Sequence, residues 1–317
     1  MAFWRTAIVA LGLALATAAR AASPVLDREF ADPFVLATPR GLVAYATNTE
    51  RDGRPIHVQM STSRDGRHWS VPAEAMPRAP RWSLARRPDI WAPEAIRIGD
   101  RYVLYFSARH ATRTRPDGRT LCVGAAVADR PQGPFVAQPE PLTCGGAHGV
   151  IDASPVRDGA DLWLYVKTDG NCCHTRTTVI AHRLSADGLG LVGAPTTLSG
   201  VTNDARWEGA VIEAPEMRRH AGQLYLFFAG GAYDHDDYAL GYARCDTPVG
   251  PCHAAPENPI LRTRPGLFGP GHGCVFDWRG RTWLAVAAWQ NGPHRYRAMY
   301  LAPIEWVRGR PLVDVPP

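Results

Sequence analysis

The sequence predicts an all-β protein, a five-bladed β-propeller, on three observations. First, a short signature returns at nearly constant spacing. Asp32 opens Asp32-Pro33-Phe34-Val35, Trp91 opens Trp91-Ala92-Pro93-Glu94 and Asp152 opens Asp152-Ala153-Ser154-Pro155. Glu213 sits in Ile212-Glu213-Ala214-Pro215 and His272 ends Gly269-Pro270-Gly271-His272, giving gaps of 59, 61, 61 and 59 residues. Second, each signature is followed by short apolar runs bounded by Gly/Asp turns, the pattern of strands. Third, no convincing amphipathic helix follows the N-terminal stretch. Copies of about sixty residues, each with about four strands, fit radial repetition, which hides the sheet edges that invite aggregation.

Each copy can be justified in order. In the first, which begins near Asp27, Leu42 to Ala46 reads as the second strand, Ile56 to Ser61 as the third and Trp69-Ser70 as the start of the edge strand. Arg78 to Arg87 is a basic, proline-containing connection. In the second copy, Ala95 to Ile98, the turn Gly99-Asp100, Tyr102 to Phe106 and Cys122 to Ala128 follow. The third has Leu162 to Val166 and Thr178 to Arg183; the fourth has Glu216 to Arg219, Gln223 to Phe228 and Ala239 to Arg244. The fifth has Cys274 to Asp277, Thr282 to Ala287 and Arg297 to Ala302, with Ile304-Glu305-Trp306 after them. A proline near the start of an inner strand is tolerated because that position need not donate to the ladder.

Residues 1–21 read as a secretory signal: Arg5, an apolar stretch from Ala7 to Ala18, and Ala19-Arg20-Ala21 as a small-x-small cleavage site. The apolar run is short for a membrane span. Residues 22–317 are expected to form the single propeller domain, secreted or periplasmic, monomeric and with no membrane contact after cleavage. The chain of 317 residues has a hydrophobic fraction of 45% and a net charge of +5. Lys167 is its only lysine, and the arginines are interspersed with Asp and Glu along the sequence. No basic stripe with interleaved aromatics is evident, so no nucleic-acid partner is expected. Seven cysteines in an exported chain imply disulfides with one thiol left over. Cys245 and Cys252 bracket a turn, and Cys122 and Cys144 could tie two ends of one copy. Cys172-Cys173 stays open, Cys274 reads as buried, and the Cys173-His174 pair matches no familiar zinc spacing.

In a propeller, residues of equal phase meet around the axis. Asp32, Trp91, Asp152, Glu213 and His272 would then share one funnel. A single Asp-x-Pro or Glu-x-Pro is more often a turn starter than a catalytic group; several in register are less easily explained that way. Carboxylates brought together in a partly dry site shift one another's pKa, and burial at the mouth of an inner strand is expected to raise that of Glu213. Paired carboxyls of this kind perform glycoside hydrolysis, and an indole offers a flat face to a sugar. Glu94, Glu208 and Glu216 are off phase and read as solvated or hydrogen-bonded. Asp234, His235, Asp236 and Asp237 read as a solvated loop at the rim.

At these residues the chain resembles glycoside hydrolase family 43. Asp32-Pro33, Trp91-Ala92-Pro93-Glu94, Ile151-Asp152, Ile212-Glu213-Ala214-Pro215 and Gly269-Pro270-Gly271-His272 follow the family's motifs in order over nearly the whole chain after residue 21. The resemblance implies a five-bladed propeller acting on arabinan, arabinoxylan and xylan fragments by inversion. It implies Asp32 as general base, Asp152 as modulator of the acid's pKa and Glu213 as general acid. Trp91 and Arg297 would bind substrate. His272 would help to hold a water-coordinated cation, a structural calcium on the axis, with no cofactor required for chemistry. The Glu-Ala-Pro motif, the Cys122/Cys144 positions and the Tyr296-to-Tyr300 ending resemble the α-L-arabinofuranosidase branch. β-Xylosidase and endo-arabinanase are the enzymatic alternatives, and a non-catalytic carbohydrate-binding propeller is the alternative from another class. Asn171-Cys172-Cys173-His174 departs from the Gly/Ser-rich loop expected of the family.

Overall fold

The computed structural model describes residues 22–173, 175–290 and 295–316. The expected signal peptide and His174 lie outside the described residues. Five four-stranded antiparallel sheets follow one another along the chain. Blade one comprises Phe34–Thr38, Gly41–Ala46, Gln59–Ser63 and Ala73–Glu74. Blade two comprises Trp91–Ile98, Arg101–Arg115, Gly118–Ala128 and Val136–Ala137. Blade three has Val150–Asp158, Asp161–Thr168, Val179–Leu184 and Leu191–Thr197. Blade four has Ile212–His220, Gln223–Gly230, Ala239–Cys245 and Cys252–Ala254. Blade five has Phe268–Trp278, Arg281–Trp289, Arg297–Val307 and Arg310–Val313. The first strand of each blade touches its counterparts in the neighbouring blades, so these five strands line the axis.

Several boundaries differ from expectation for local reasons. In blade one Arg54–Ile56 leaves the sheet to pair with Thr49–Arg51 as a separate hairpin. The edge strand begins at Ala73, because the Asp65 carboxylate accepts the backbone N–H of Arg67 (2.9 Å) and His68 (2.8 Å) and turns the chain away from the ladder. Trp69 keeps only one bridge, to Ser63. In blade five Ile304 to Trp306 continues the third strand, and the hairpin turn falls at Arg308-Gly309, both with positive φ.

The blades are tied by a repeated tyrosine. Tyr105, Tyr165 and Tyr225, from the second strands of blades two to four, donate their hydroxyls to Gly188 (2.8 Å), Pro248 (2.7 Å) and Gly309 (2.9 Å) of the next blade. Tyr45 does the same to the Pro131 carbonyl. Each tie leaves a buried hydroxyl satisfied and contributes about 1 kcal/mol net. The fifth junction is built differently. Trp278 packs against Gly66, and Arg279 donates to the Arg64 carbonyl (3.0 Å). The N-terminal segment runs beside the third strand of blade five, with Val25 N–H on Met299 (2.9 Å) and Phe30 N–H on Arg297 (2.8 Å).

Apolar side chains fill the spaces between neighbouring sheets, from Leu26, Phe30 and Tyr45 through Leu104 and Phe106 to Phe227, Phe228 and Tyr300. Disulfides join Cys122 to Cys144 and Cys245 to Cys252, as expected, and Cys274 is a buried free thiol. The open pair is resolved as a disulfide between the adjacent Cys172 and Cys173. No helix among the described residues is long and apolar enough to cross a membrane.

Candidate active site

Each inner strand opens with the same local distortion. Asp32, Ala92, Asp152, Ala214 and His272 all have positive φ, between 46° and 57°. Register shifts follow in blades two to five, between Trp91 and Glu94, Ile151 and Ser154, Glu213 and Glu216, and Gly271 and Cys274. A left-handed residue without glycine's freedom costs about 1–2 kcal/mol, and a bulge re-aims the side chains beside it. The strain is repeated where the side chains turn into the axis. The Gly-Pro-Gly-His sequence has its own reason: a Cβ on Gly271 would lie 1.9 Å from the Tyr238 ring.

The result is a pocket of about 230 Å³ lined by Asp32, Thr47, Trp91, Ile151, Asp152, Asn171, Glu213, Tyr233, His272 and Arg297. It therefore brings together every site residue expected from the sequence. A larger cavity between residues 77–81 and 134–139 contains none of them.

The three carboxyls are buried but differently partnered. Asp32 accepts from Arg297 Nη1 (2.8 Å) and from the Thr47 hydroxyl, and His272 Nδ1 lies 3.4 Å from its Oδ1. Burial alone would raise its pKa; Arg297, His272 and Thr47 outweigh burial and hold it below the ordinary value. Asp152 accepts the Ala214 N–H at 2.9 Å and donates its own N–H to Ser107 Oγ at 3.2 Å. Burial pushes its carboxyl up to about 6, against the charges of His272 and Lys167 and with that of Glu213.

Glu213 corrects the expectation that burial would raise its pKa. Burial does act in that direction, but the Lys167 ammonium at 2.8 Å, and hydrogen bonds from Lys167 and Tyr238, reverse it and lower the value. Glu213 Oε2 also accepts from Asn171 Nδ2 (3.2 Å), and Oε1 accepts from the Tyr238 hydroxyl (2.7 Å). Lys167 is fully buried and donates in addition to Asn171 Oδ1 at 2.7 Å.

Sequence reasoning missed Lys167, Asn171, Thr47, Tyr233 and Tyr238. Lys167 carried a signal, since the only lysine of the chain stands at the end of an apolar strand. Arg297 also faces the Tyr233 and Trp289 rings, 5.1 and 5.8 Å from their centroids, and Arg109 stacks over Trp91 at 5.3 Å.

Glu94 and Glu216 are not solvated, as one of the two open readings had it. They are 8% and 5% exposed and lie three residues further down their inner strands. Glu216 accepts from Ser154 Oγ at 2.9 Å, whereas Oε2 of Glu94 has no hydrogen-bond partner among the described residues. Burial, then the charge of Glu216, raises Glu94 well above its ordinary value; burial raises Glu216 to about 7. Glu208 is buried and accepts the Ala205 N–H (3.1 Å). The stretch from Asp234 to Asp237 is exposed or half-exposed.

The expected calcium finds little protein cage. Calcium takes six to eight oxygens. Among the described residues no three His, Cys, Asp or Glu ligand atoms converge around His272. The one such group is His148 with Cys172 and Cys173. Its two sulfurs are joined to each other, so neither is a thiolate ligand.

The profile of Glycosyl hydrolases family 43 matches residues 21–311. The chain belongs to this family. This family-43 chain is 28% identical over 189 residues to a β-D-galactofuranosidase of Aspergillus niger, an alignment covering 58% of the chain and 49% of that protein. It is 26% identical over 227 residues to Xylosidase/arabinosidase 43A of Humicola insolens, covering 62% of the chain and 64% of the relative. The matches thus span about half to two-thirds of these relatives. In fold it is similar to a thermostable family-43 glycoside hydrolase, with a TM-score of 0.78 at 24% identity over 94% of this chain and 96% of the other.

Proposed function

We propose that this protein is an inverting glycoside hydrolase that releases a terminal pentosyl unit, foremost α-L-arabinofuranosyl, from arabinose- or xylose-containing oligosaccharides and polysaccharides. One observation carries the reading: Asp32 and Glu213 line one small pocket, each held by its own buried cation, Asp32 by a guanidinium and Glu213 inside a lysine–tyrosine–asparagine cradle. A pocket of about 230 Å³ suits one sugar ring better than a threaded chain, which favours exo-action. Asp32, held ionised, takes a proton from the attacking water. Glu213 gives a proton to the leaving oxygen. Lys167 keeps Glu213 ionised in the free protein; a bound sugar displaces water and disfavours the charged form. Asp152, once ionised above about pH 6, opposes a second negative charge and so helps Glu213 keep its proton. Trp91 offers the ring face, and Arg297 positions Asp32 and reaches the sugar.

A furanosyl substrate is supported by the Aspergillus relative, named for a furanoside. Release of β-xylosyl is the second reading, supported by the Humicola relative, named for both pentoses. Export to an oxidising compartment is supported by the disulfides. A cation at His272 would take most of its shell from water, and no chemical step is assigned to it. The test is release of 4-nitrophenol from aryl α-L-arabinofuranoside and β-D-xyloside, with the product anomer followed by NMR. The expected result is release with inversion. No turnover of either glycoside, with sugar binding intact, would leave a binding propeller, and retention would remove the water-activating role of Asp32.

A further inference from the structure

The interspersal of arginine and carboxylate fails over one stretch of the chain. Residues 78–119 contain ten arginines and four carboxylates, a larger net positive charge than the +5 of the whole chain. Much of it gathers in one wall beside the pocket. The second strand of blade two pairs Ser107 with Trp91 at the pocket edge and then continues to Arg115. Residues 82–88 run along this extension: Leu84 N–H bonds to Arg109, Arg109 N–H to Pro88 and Ala111 N–H to Trp82, at 2.8, 2.8 and 2.9 Å. Trp82 stacks on Phe106 and His110 beneath. The far end is pinned by Arg115, which reaches Asp117, the His148 carbonyl and the buried Asp169 of blade three. The wall is therefore built on packed strands and a buried ion pair.

Its charge is largely unspent. Asp89 is taken by Arg109, with Arg87 at 3.9 Å, and Asp117 by Arg115. Arg81, Arg86 and Arg113 are exposed, and among the described residues none has a carboxylate within ion-pair distance. At about 3.3 Å per residue, the six residues from Ser107 place Arg113 up to about 20 Å beyond the Trp91 edge. That reach exceeds one sugar ring and suits a polymer. Unpaired guanidiniums at intervals along it match carboxylates carried at intervals on a chain.

We propose that this arginine wall is the docking surface for a uronate-bearing polysaccharide, whose terminal or side-chain pentosyl unit enters the pocket. The proposal rests on the pentosidase reading and narrows it to acidic polymers. Galacturonate-rich arabinan and glucuronate-bearing xylan share the required chemistry.

The test compares three substrates carrying the same pentose: the carboxylated polymer, its carboxyl-reduced form and the aryl pentoside. Arabinan and xylan versions run as separate arms. With the wild-type protein, kcat/KM should be about tenfold higher on the carboxylated polymer in at least one arm, and the advantage should vanish at high ionic strength. The Arg86→Gln/Arg113→Gln variant should lose that advantage while keeping wild-type turnover of the aryl pentoside, which also reports folding. Equal rates on carboxylated and reduced polymers in both arms would overturn the wall's role and leave the pentosidase reading intact. Failure on the aryl pentosides would instead overturn that reading. A wall retained by duplex DNA but indifferent to the carboxylated polymers would also overturn the proposal.

Discussion

Two tiers of carboxyl groups sit on the same axis, and burial does not distinguish them. Asp32, Asp152 and Glu213 are 9%, 7% and 6% exposed; Glu94 and Glu216, one tier deeper, are 8% and 5% exposed. Their partners differ. The upper tier meets Arg297, Lys167, His272 and the hydroxyls of Thr47 and Tyr238. The lower tier meets Ser154, the Val275 backbone and itself, with the Arg218 charge acting on Glu216 from beyond hydrogen-bond reach. At equal desolvation, a cation within hydrogen-bond reach decides which carboxyl carries charge at neutral pH. Below about pH 7 the lower pair is held largely neutral.

Four experiments break or sharpen this contrast. The largest effect is expected at the upper tier. Asp32→Ala should lose roughly 10²–10⁴-fold in kcat/KM or more on every substrate, as expected for a general base. Glu213→Ala should lose as much on a sugar–sugar bond but far less on an activated aryl glycoside, whose leaving group needs little protonation. Equal losses on both substrates would reverse the assignment.

The second experiment places two variants in opposition. Asp152→Asn removes a negative charge near Glu213, so the basic limb of the kcat/KM profile should move to lower pH. Lys167→Met removes the positive charge that lowers Glu213, so the same limb should move to higher pH. Shifts in the same direction would disprove the electrostatic account. Lys167→Met is also expected to destabilise, by up to about 3–5 kcal/mol where Glu213 stays ionised.

A smaller effect is expected below. Glu216 has a folded pKa of about 7 against an ordinary 4.5. A carboxyl raised on folding gives a stability contribution that is full below about pH 4.5 and is lost as pH rises through about 7. Glu216→Gln should therefore flatten the pH dependence of Tm across that window, stabilise by on the order of 2 kcal/mol at neutral pH, and leave turnover nearly unchanged. A loss of activity like that of Glu213→Ala would merge the two tiers. The smallest change is expected for His272→Ala: a modest fall in turnover without unfolding, and an acid limb moved slightly upward because Asp32 loses a neighbour that lowers its pKa. Full activity of the variant after exhaustive chelation would reduce His272 to a packing role.

The ring of five blades was legible because the repeat writes itself in a one-dimensional period. It was legible only to within one residue. The structurally equivalent positions are Asp32, Ala92, Asp152, Ala214 and His272, so Trp91 and Glu213 stand one place earlier and reach the pocket from the other side of the kink. A backbone twist of this kind has no residue signature when the twisted residue is alanine. The tyrosines at positions 45, 105, 165 and 225 were visible at a constant interval, yet their partners lie on turns more than eighty residues away, which no local pattern connects. Lys167 was counted as charge rather than as a neighbour of Glu213, because the contact crosses from blade three to blade four. The arginine excess of residues 78–119 could be counted in the sequence, but not that residues 82–88 pack along the extended second strand of blade two and gather it into one wall.

The closing junction has a consequence for how the molecule comes into being. Asp32 and Arg297 are 265 positions apart, and the segment Val25 to Phe30, which leads to Asp32, hydrogen-bonds to the third strand of blade five. A contact of such long range is among the slowest to form. A nascent chain therefore holds Asp32 without its guanidinium partner through the synthesis of four blades, and that pairing is completed only when the third strand of blade five forms. On the proposed reading, turnover would report the circle closed, and a chain halted one blade short would lack the Arg297 partner of Asp32.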